Sequence, residues 1–77
     1  MNESLLHHYQ FRLVNGLWQD VAGDGGILAD VLSNWEIDID YRTQFARIID
    51  YERGIRILYR AYTYGKIEVD IYRICQI

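Results

Sequence analysis

Proline is absent from the 77 residues, so no strand or helix is interrupted by a residue without an amide hydrogen. Cysteine is nearly absent. Cys75 stands alone, cannot form an internal disulfide, and favours a reducing compartment, so a cytoplasmic location is expected. No apolar run approaches the roughly 18 to 20 residues that a bilayer-crossing helix needs, and the start MNESLLHHY lacks a signal peptide's basic region. No membrane association is therefore expected. Positive charge is scarce as well: eight bases against eleven acids give −3, which argues against direct electrostatic binding of nucleic acid. No catalytic, cofactor or metal-ligand signature occurs, so the expectation is a chain without catalytic residues, cofactor or metal. His7 and His8 are adjacent, point apart in an extended chain, and read as exposed residues rather than ligands.

What is present describes one small globular domain over residues 1–77, since 51% of residues are hydrophobic and 25% charged. Seven of the eight bases are arginine and there are seven tyrosines, the planar, polar-tipped types that contact surfaces favour. Tyrosine's high strand propensity is the competing explanation.

Tyr9, Phe11 and Leu13 alternate with Gln10 and Arg12, and Asn15-Gly16 supplies the positive-φ pair of a tight hairpin turn. That register sets Val14 against Leu17, Leu13 against Trp18 and Tyr9 against Ala22. Gly23-Asp24-Gly25-Gly26 is a loop, with Asp24 available to cap a helix. It lacks the lysine and hydroxyl of a phosphate-cradling loop. Leu28, Val31, Leu32 and Trp35 form one helical apolar stripe, with Ser33-Asn34 as the exit.

From Glu36 to Tyr51 the parity has period two, with Ile37, Ile39, Tyr41, Phe45 and Ile49 at odd positions. A helix over 42–62 is the weaker alternative, given Gly54 and the load of isoleucine and tyrosine. A three-residue loop at Glu52-Arg53-Gly54 pairs Tyr51 with Ile55, and a second loop at Tyr64-Gly65-Lys66 pairs Tyr59 with Ile71. One unbroken strand from Glu36 to Tyr51 would be roughly 53 Å long. Its first part therefore needs a bend, the amino-terminal hairpin or a second chain. The predicted fold is α+β: an N-terminal β-hairpin, one short α-helix and a three-stranded antiparallel β-meander. Phe11, Leu13, Trp18, Leu28, Val31, Leu32, Trp35, Phe45, Ile49, Ile57, Tyr59, Val69 and Ile71 form the predicted core. Cys75 reads as a buried inert thiol.

Two surfaces are candidate partner-binding sites. On the outer face of the meander this register sets Ile48, Leu58 and Tyr72 side by side, adjoined by Ile74. The pairs Asp50–Arg56 and Arg60–Asp70 flank them, and Tyr62 with Glu68 closes one end. An apolar centre ringed by arginine, tyrosine and acid is how a contact patch is built. The second candidate is the row Glu36, Asp38 and Asp40, about 7 Å apart on a strand. It reads as a charge-protected edge or an imitation of a phosphate backbone. A straight row does not converge on one cation.

Tyr41-Arg42 and the run Ile49-Asp50-Tyr51-Glu52-Arg53-Gly54-Ile55 resemble the strand–turn–strand core of RelE- and HigB-type ribosome-dependent messenger-RNA interferases. The resemblance implies a small antiparallel sheet with helices and RNA cleavage by basic and aromatic side chains, here Arg56, Arg60, Tyr62 and Tyr72. Such toxins often have threonine-histidine where this chain has Thr63-Tyr64. The function expected from the residues themselves is a non-catalytic interaction module, an inhibitor of the kind phages and mobile elements direct at host defence or nucleic-acid-processing systems. Its expected partner is a protein. A homodimer through a strand edge or the tyrosine-rich face would relieve the small core of so short a chain.

Overall fold

Alternation and turn chemistry build the first hairpin as the sequence predicts. In the computed structural model, which describes residues 3–40, 42–62 and 64–74, strand β1 (Glu3–Val14) pairs with β2 (Leu17–Gly23) around Asn15-Gly16. Val14 faces Leu17 and Leu13 faces Trp18. A register shift after Phe11 then moves Tyr9 from Ala22 to Gly23. The cause is Asp20, whose carboxylate accepts hydrogen bonds from the amides of Gln10, Ala22 and Gly25 and so draws the chain around itself.

Helix α1 (Leu28–Trp35) follows, with Leu28 and Val31 buried and Leu32 and Trp35 packed against the core. It ends at Glu36, in the left-handed region at φ 52°, rather than at Ser33-Asn34. Asp24 does not cap it. The residue before the helix, Ile27, makes no side-chain cap, and Asp24 accepts instead from the His8 amide and pairs with the His7 ring.

Strands β3 (Phe45–Asp50), β4 (Ile55–Tyr62) and β5 (Lys66–Ile74) form an antiparallel meander. It does not stand apart from the hairpin. β1 pairs antiparallel with β5, so the described residues form one five-stranded sheet in the order β2-β1-β5-β4-β3 plus one short helix. The predicted three-stranded meander therefore undercounts the sheet. Among the described residues no helix is long and apolar enough to cross a membrane.

One ladder differs by a single residue. Asp50 pairs with Ile55 across the turn, not Tyr51, which places Ile48 against Ile57 and Ala46 against Tyr59. The Asp50 carboxylate accepts from the amides of Glu52 and Arg53 at 3.1 and 3.2 Å, pulling Tyr51 into a longer turn. A one-residue slip turns every side chain of the strand over. Ala46 and Ile48 thus pack on the core, while Phe45 and Ile49, predicted inside, are each 47% exposed. In the β4–β5 ladder the parity holds but the pairing moves by two residues, so Tyr59 meets Val69, Leu58 meets Asp70 and Arg56 meets Tyr72.

The segment after α1 resolves the excess strand length by leaving the ladder. It crosses the helix-bearing face of the sheet with Ile37 and Ile39 buried, then turns at Asp40, where the Thr43 amide donates to the Asp40 carbonyl at 2.9 Å. Tyr59 pins this crossing from beneath, its hydroxyl lying within donating distance of the Asp40 and Thr43 carbonyls. Arg53 holds the other end, donating to the Trp35 carbonyl at 2.9 Å and pairing with Glu36 at 2.7 Å. The core is Tyr9, Phe11, Leu28, Val31, Ile37, Ile39, Ile55, Ile57, Tyr59, Ile67, Val69 and Ile71. Leu13 drops out of the predicted core, 51% exposed next to the hairpin turn. Predictions for Tyr41, Thr63 and Cys75 lie outside the described residues.

Candidate functional site

Helix α1 and the crossing segment cover one face of the sheet and leave the other open. The ladders set the open face out in rows. Ile49, Arg56, Tyr72 and Leu5 form one; Arg47, Leu58, Asp70 and His8 the next; Phe45, Arg60, Glu68 and Gln10 the third; Tyr62, Lys66 and Arg12 the fourth. Leu5, Phe45, Ile49 and Tyr62 are exposed in it.

Charge is unevenly divided between the two sides. The open face carries Arg12, Arg47, Arg56, Arg60 and Lys66 against Glu3, Glu68 and Asp70, a balance of +2. The remaining three bases and eight acids leave −5 elsewhere, together making the chain's −3. An acidic protein thus presents one locally basic, partly apolar surface.

Part of that surface is internally satisfied. Arg56 forms a bidentate pair with Glu3 and lies 4.5 Å over the Tyr72 ring. The same guanidinium holds the Glu3 carboxyl below the usual carboxylate range, and Glu3 raises Arg56 in turn. Lys66 sits 5.1 Å over the Tyr62 ring and 3.8 Å from Glu68. Among the described residues Arg12, Arg47 and Arg60 form no salt bridge.

His8 and Asp70 meet at 2.5 Å in the second row. The bond to Asp70 raises the His8 pKa above the ordinary imidazole value against the opposing effect of burial, with Asp70, Glu68 and Asp20 adding attraction. A raised folded pKa means that the pair's contribution is fully present below the unfolded value of about 6.5 and is lost as pH rises through the folded value. The thermal midpoint is therefore expected to fall as pH is raised from about 6 to about 9. Asp70→Asn should flatten that segment of the profile; an unchanged slope in the variant would refute the assignment.

Of the predicted contact residues, Arg56, Leu58, Arg60, Tyr62, Glu68, Asp70 and Tyr72 do share the open face. Ile48 does not. The slipped ladder puts it on the core side, so the predicted Ile48–Leu58–Tyr72 patch does not form, and Leu58 lies between Arg47 and Asp70. The pairs change as well: Asp50–Arg56 gives way to Glu3–Arg56, and the two-residue shift between β4 and β5 sets Arg60 against Glu68 rather than Asp70. Sequence reasoning missed Phe45, Arg47 and Ile49 as surface residues; the aspartate opening the Asp50-Tyr51-Glu52-Arg53 turn was the available signal.

Glu36, Asp38 and Asp40 lie on the covered side, in the crossing segment and not in a strand. All are exposed, yet Glu36 is paired with Arg53, and Asp40 with Arg42, whose hydrogen bonds lower its pKa. Asp38, Ile39, Asp40 and Arg42 line a shallow open depression. Among the described residues no cluster of His, Cys, Asp and Glu converges as a metal site would. No family model matches the chain, and neither a curated protein nor a solved structure matches it significantly.

Proposed function

We propose that this chain is a non-catalytic binding module that occupies a partner protein's surface through the open face of its sheet. The observation that carries this reading is the one-sided cover. One face is covered by α1, Ile37 and Ile39, while the other leaves apolar side chains exposed among arginines, of which Arg12, Arg47 and Arg60 form no salt bridge among the described residues. Exposed apolar groups interleaved with arginine and tyrosine are the make-up of contact surfaces. Docking of this kind acts by occlusion, the mode of the inhibitor anticipated from small size and acidity.

Phosphate mimicry by Glu36, Asp38 and Asp40 is the weaker mechanism, because two of the three carboxylates are engaged by neighbouring arginines. A tagged chain used to capture its partner from the native host, followed by variants, separates the two. Leu58→Glu is expected to weaken the captured complex at least about tenfold, as loss of a central contact does. Replacing the three acids with serine should change affinity by less than about twofold. The opposite order would transfer the function to the acidic row. Growth arrest on expression, relieved by Arg60→Ala, would replace both with the ribonuclease reading.

A further inference from the structure

The two edges of the sheet are treated differently. The β2 edge is closed by its own chain: the Asp20 amide donates to the Gly26 carbonyl at 3.0 Å, and Gln19 bridges to Ile27. Among the described residues the β3 edge has no such cover. The Ala61 amide donates to the Gln44 carbonyl at 2.9 Å, which fixes the phase of the β3–β4 ladder. Residues 44, 46, 48 and 50 therefore turn their backbone groups toward β4. In an antiparallel ladder the alternate residues face away, so the amide and carbonyl groups of Phe45, Arg47 and Ile49 point outward.

Two usual protections of an edge, a proline or lysine and a bulge, are missing there. β3 contains no proline or lysine, and its ladder with β4 runs without the register shifts seen in both pairings of β1. Phe45 and Ile49, on the open face, are each about half exposed beside this bare backbone, with Arg47 between them. Backbone groups in this arrangement are satisfied by an extended chain and not by a helix.

From these observations we infer that the β3 edge accepts an extended segment of a partner protein with the pattern apolar–x–acidic–x–apolar, which adds as a sixth strand. Its apolar residues lie beside Phe45 and Ile49, and its acid lies beside Arg47, with Arg60 in the next strand. Its intervening residues adjoin Ala46 and Ile48, so neutral side chains fit there. Charge selects this occupant over a second copy of the chain, because the symmetric antiparallel pairing centred on Arg47 sets arginine against arginine. The rings, rather than charge, disfavour single-stranded nucleic acid. Base stacking needs open ring faces, and the Tyr62 and Tyr72 rings are already overlain by Lys66 and Arg56.

The inference rests on the reading of the chain as a binding module and names one of its contacts. A capped synthetic peptide, Ser-Thr-Val-Thr-Glu-Thr-Val-Thr-Ser, titrated into the isotope-labelled full chain tests it. Amide signals of Phe45, Arg47 and Ile49 should shift and exchange more slowly with solvent. The same peptide with lysine in place of glutamate should bind at least about threefold more weakly, and Arg47→Glu should invert that order. Ile49→Pro should abolish binding while leaving the rest of the spectrum in place, since its missing amide hydrogen pointed away from β4. No shift in β3 at about 1 mM peptide, equal response to both peptides, or a dimer by light scattering with β3 at its interface would overturn it. A captured partner that resists Ile49→Pro but is lost with Leu58→Glu would remove the edge contact and leave the binding module standing.

Discussion

Phe11→Ala is expected to destabilise the domain by about 3–5 kcal/mol, the loss typical of emptying a buried aromatic site. A chain of 77 residues has about 4–12 kcal/mol of stability in total, so the variant would stand near the unfolding threshold. The size of the effect follows from position. Phe11 is fully buried, stacks on Tyr9 with ring centres 5.5 Å apart, and lies on the strand that pairs with both β2 and β5. It faces Ile67 across one ladder and Asp20 across the other, so no neighbour can move into its space without disturbing two pairings. Leu13→Ala, two residues further along the same face but half exposed, should cost less than about 1 kcal/mol. Urea unfolding with an unchanged slope measures both. Equal small losses would mean that the hairpin does not close onto β5, because Phe11 would then sit at a margin rather than in the middle of a five-stranded sheet.

That closure is where sequence reasoning ran out. The Asn15-Gly16 turn, the Leu28–Trp35 stripe and the inward parity of β4 and β5 are local patterns, and each stands where the sequence predicts it. Pairing of β1 with β5 joins residues about sixty positions apart, and no local pattern distinguishes it from two separate sheets. The slip in β3 has a different origin. The run Arg47-Ile48-Ile49-Asp50 places an isoleucine at each parity, so burying either one satisfies the hydrophobic pattern equally. The register is then decided by Asp50 holding the Glu52 and Arg53 amides, a contact of the turn rather than of the strand. The acids at 36, 38 and 40 illustrate the converse. Their alternation with Ile37 and Ile39 is real, but a chain lying on a sheet buries every second residue just as a strand within it does. The candidate surface was consequently legible on β4 and β5 and illegible on β3, where the open edge lies.

Gly23→Ala is expected to cost about 2–4 kcal/mol, combining backbone strain with the loss of a hydrogen-bonded contact between strands. Gly23 has φ +140°, a conformation that residues with a side chain rarely adopt, and an added methyl group would strike the His8 carbonyl oxygen. That oxygen accepts from the Asp24 amide at 3.1 Å, while the His8 amide donates to the Asp24 carboxylate at 2.9 Å. Relieving the collision means moving β2 away from β1, which breaks this reciprocal pair and strains the Asp20 bonds to Ala22 and Gly25 next to it. Gly25→Ala is the appropriate comparison. Gly25 also has positive φ, at +85°, but nothing lies within 4 Å of the position its methyl group would take. Its cost should be about 1 kcal/mol, conformational strain alone. The difference between the two variants reports the collision with His8 together with the more demanding backbone conformation at Gly23. His8 also meets Asp70 on the open face, so Gly23→Ala should weaken the pH dependence of stability and Gly25→Ala should preserve it. Two variants with the same unfolding midpoint and the same pH profile would show that the end of β2 does not press against β1 at His8.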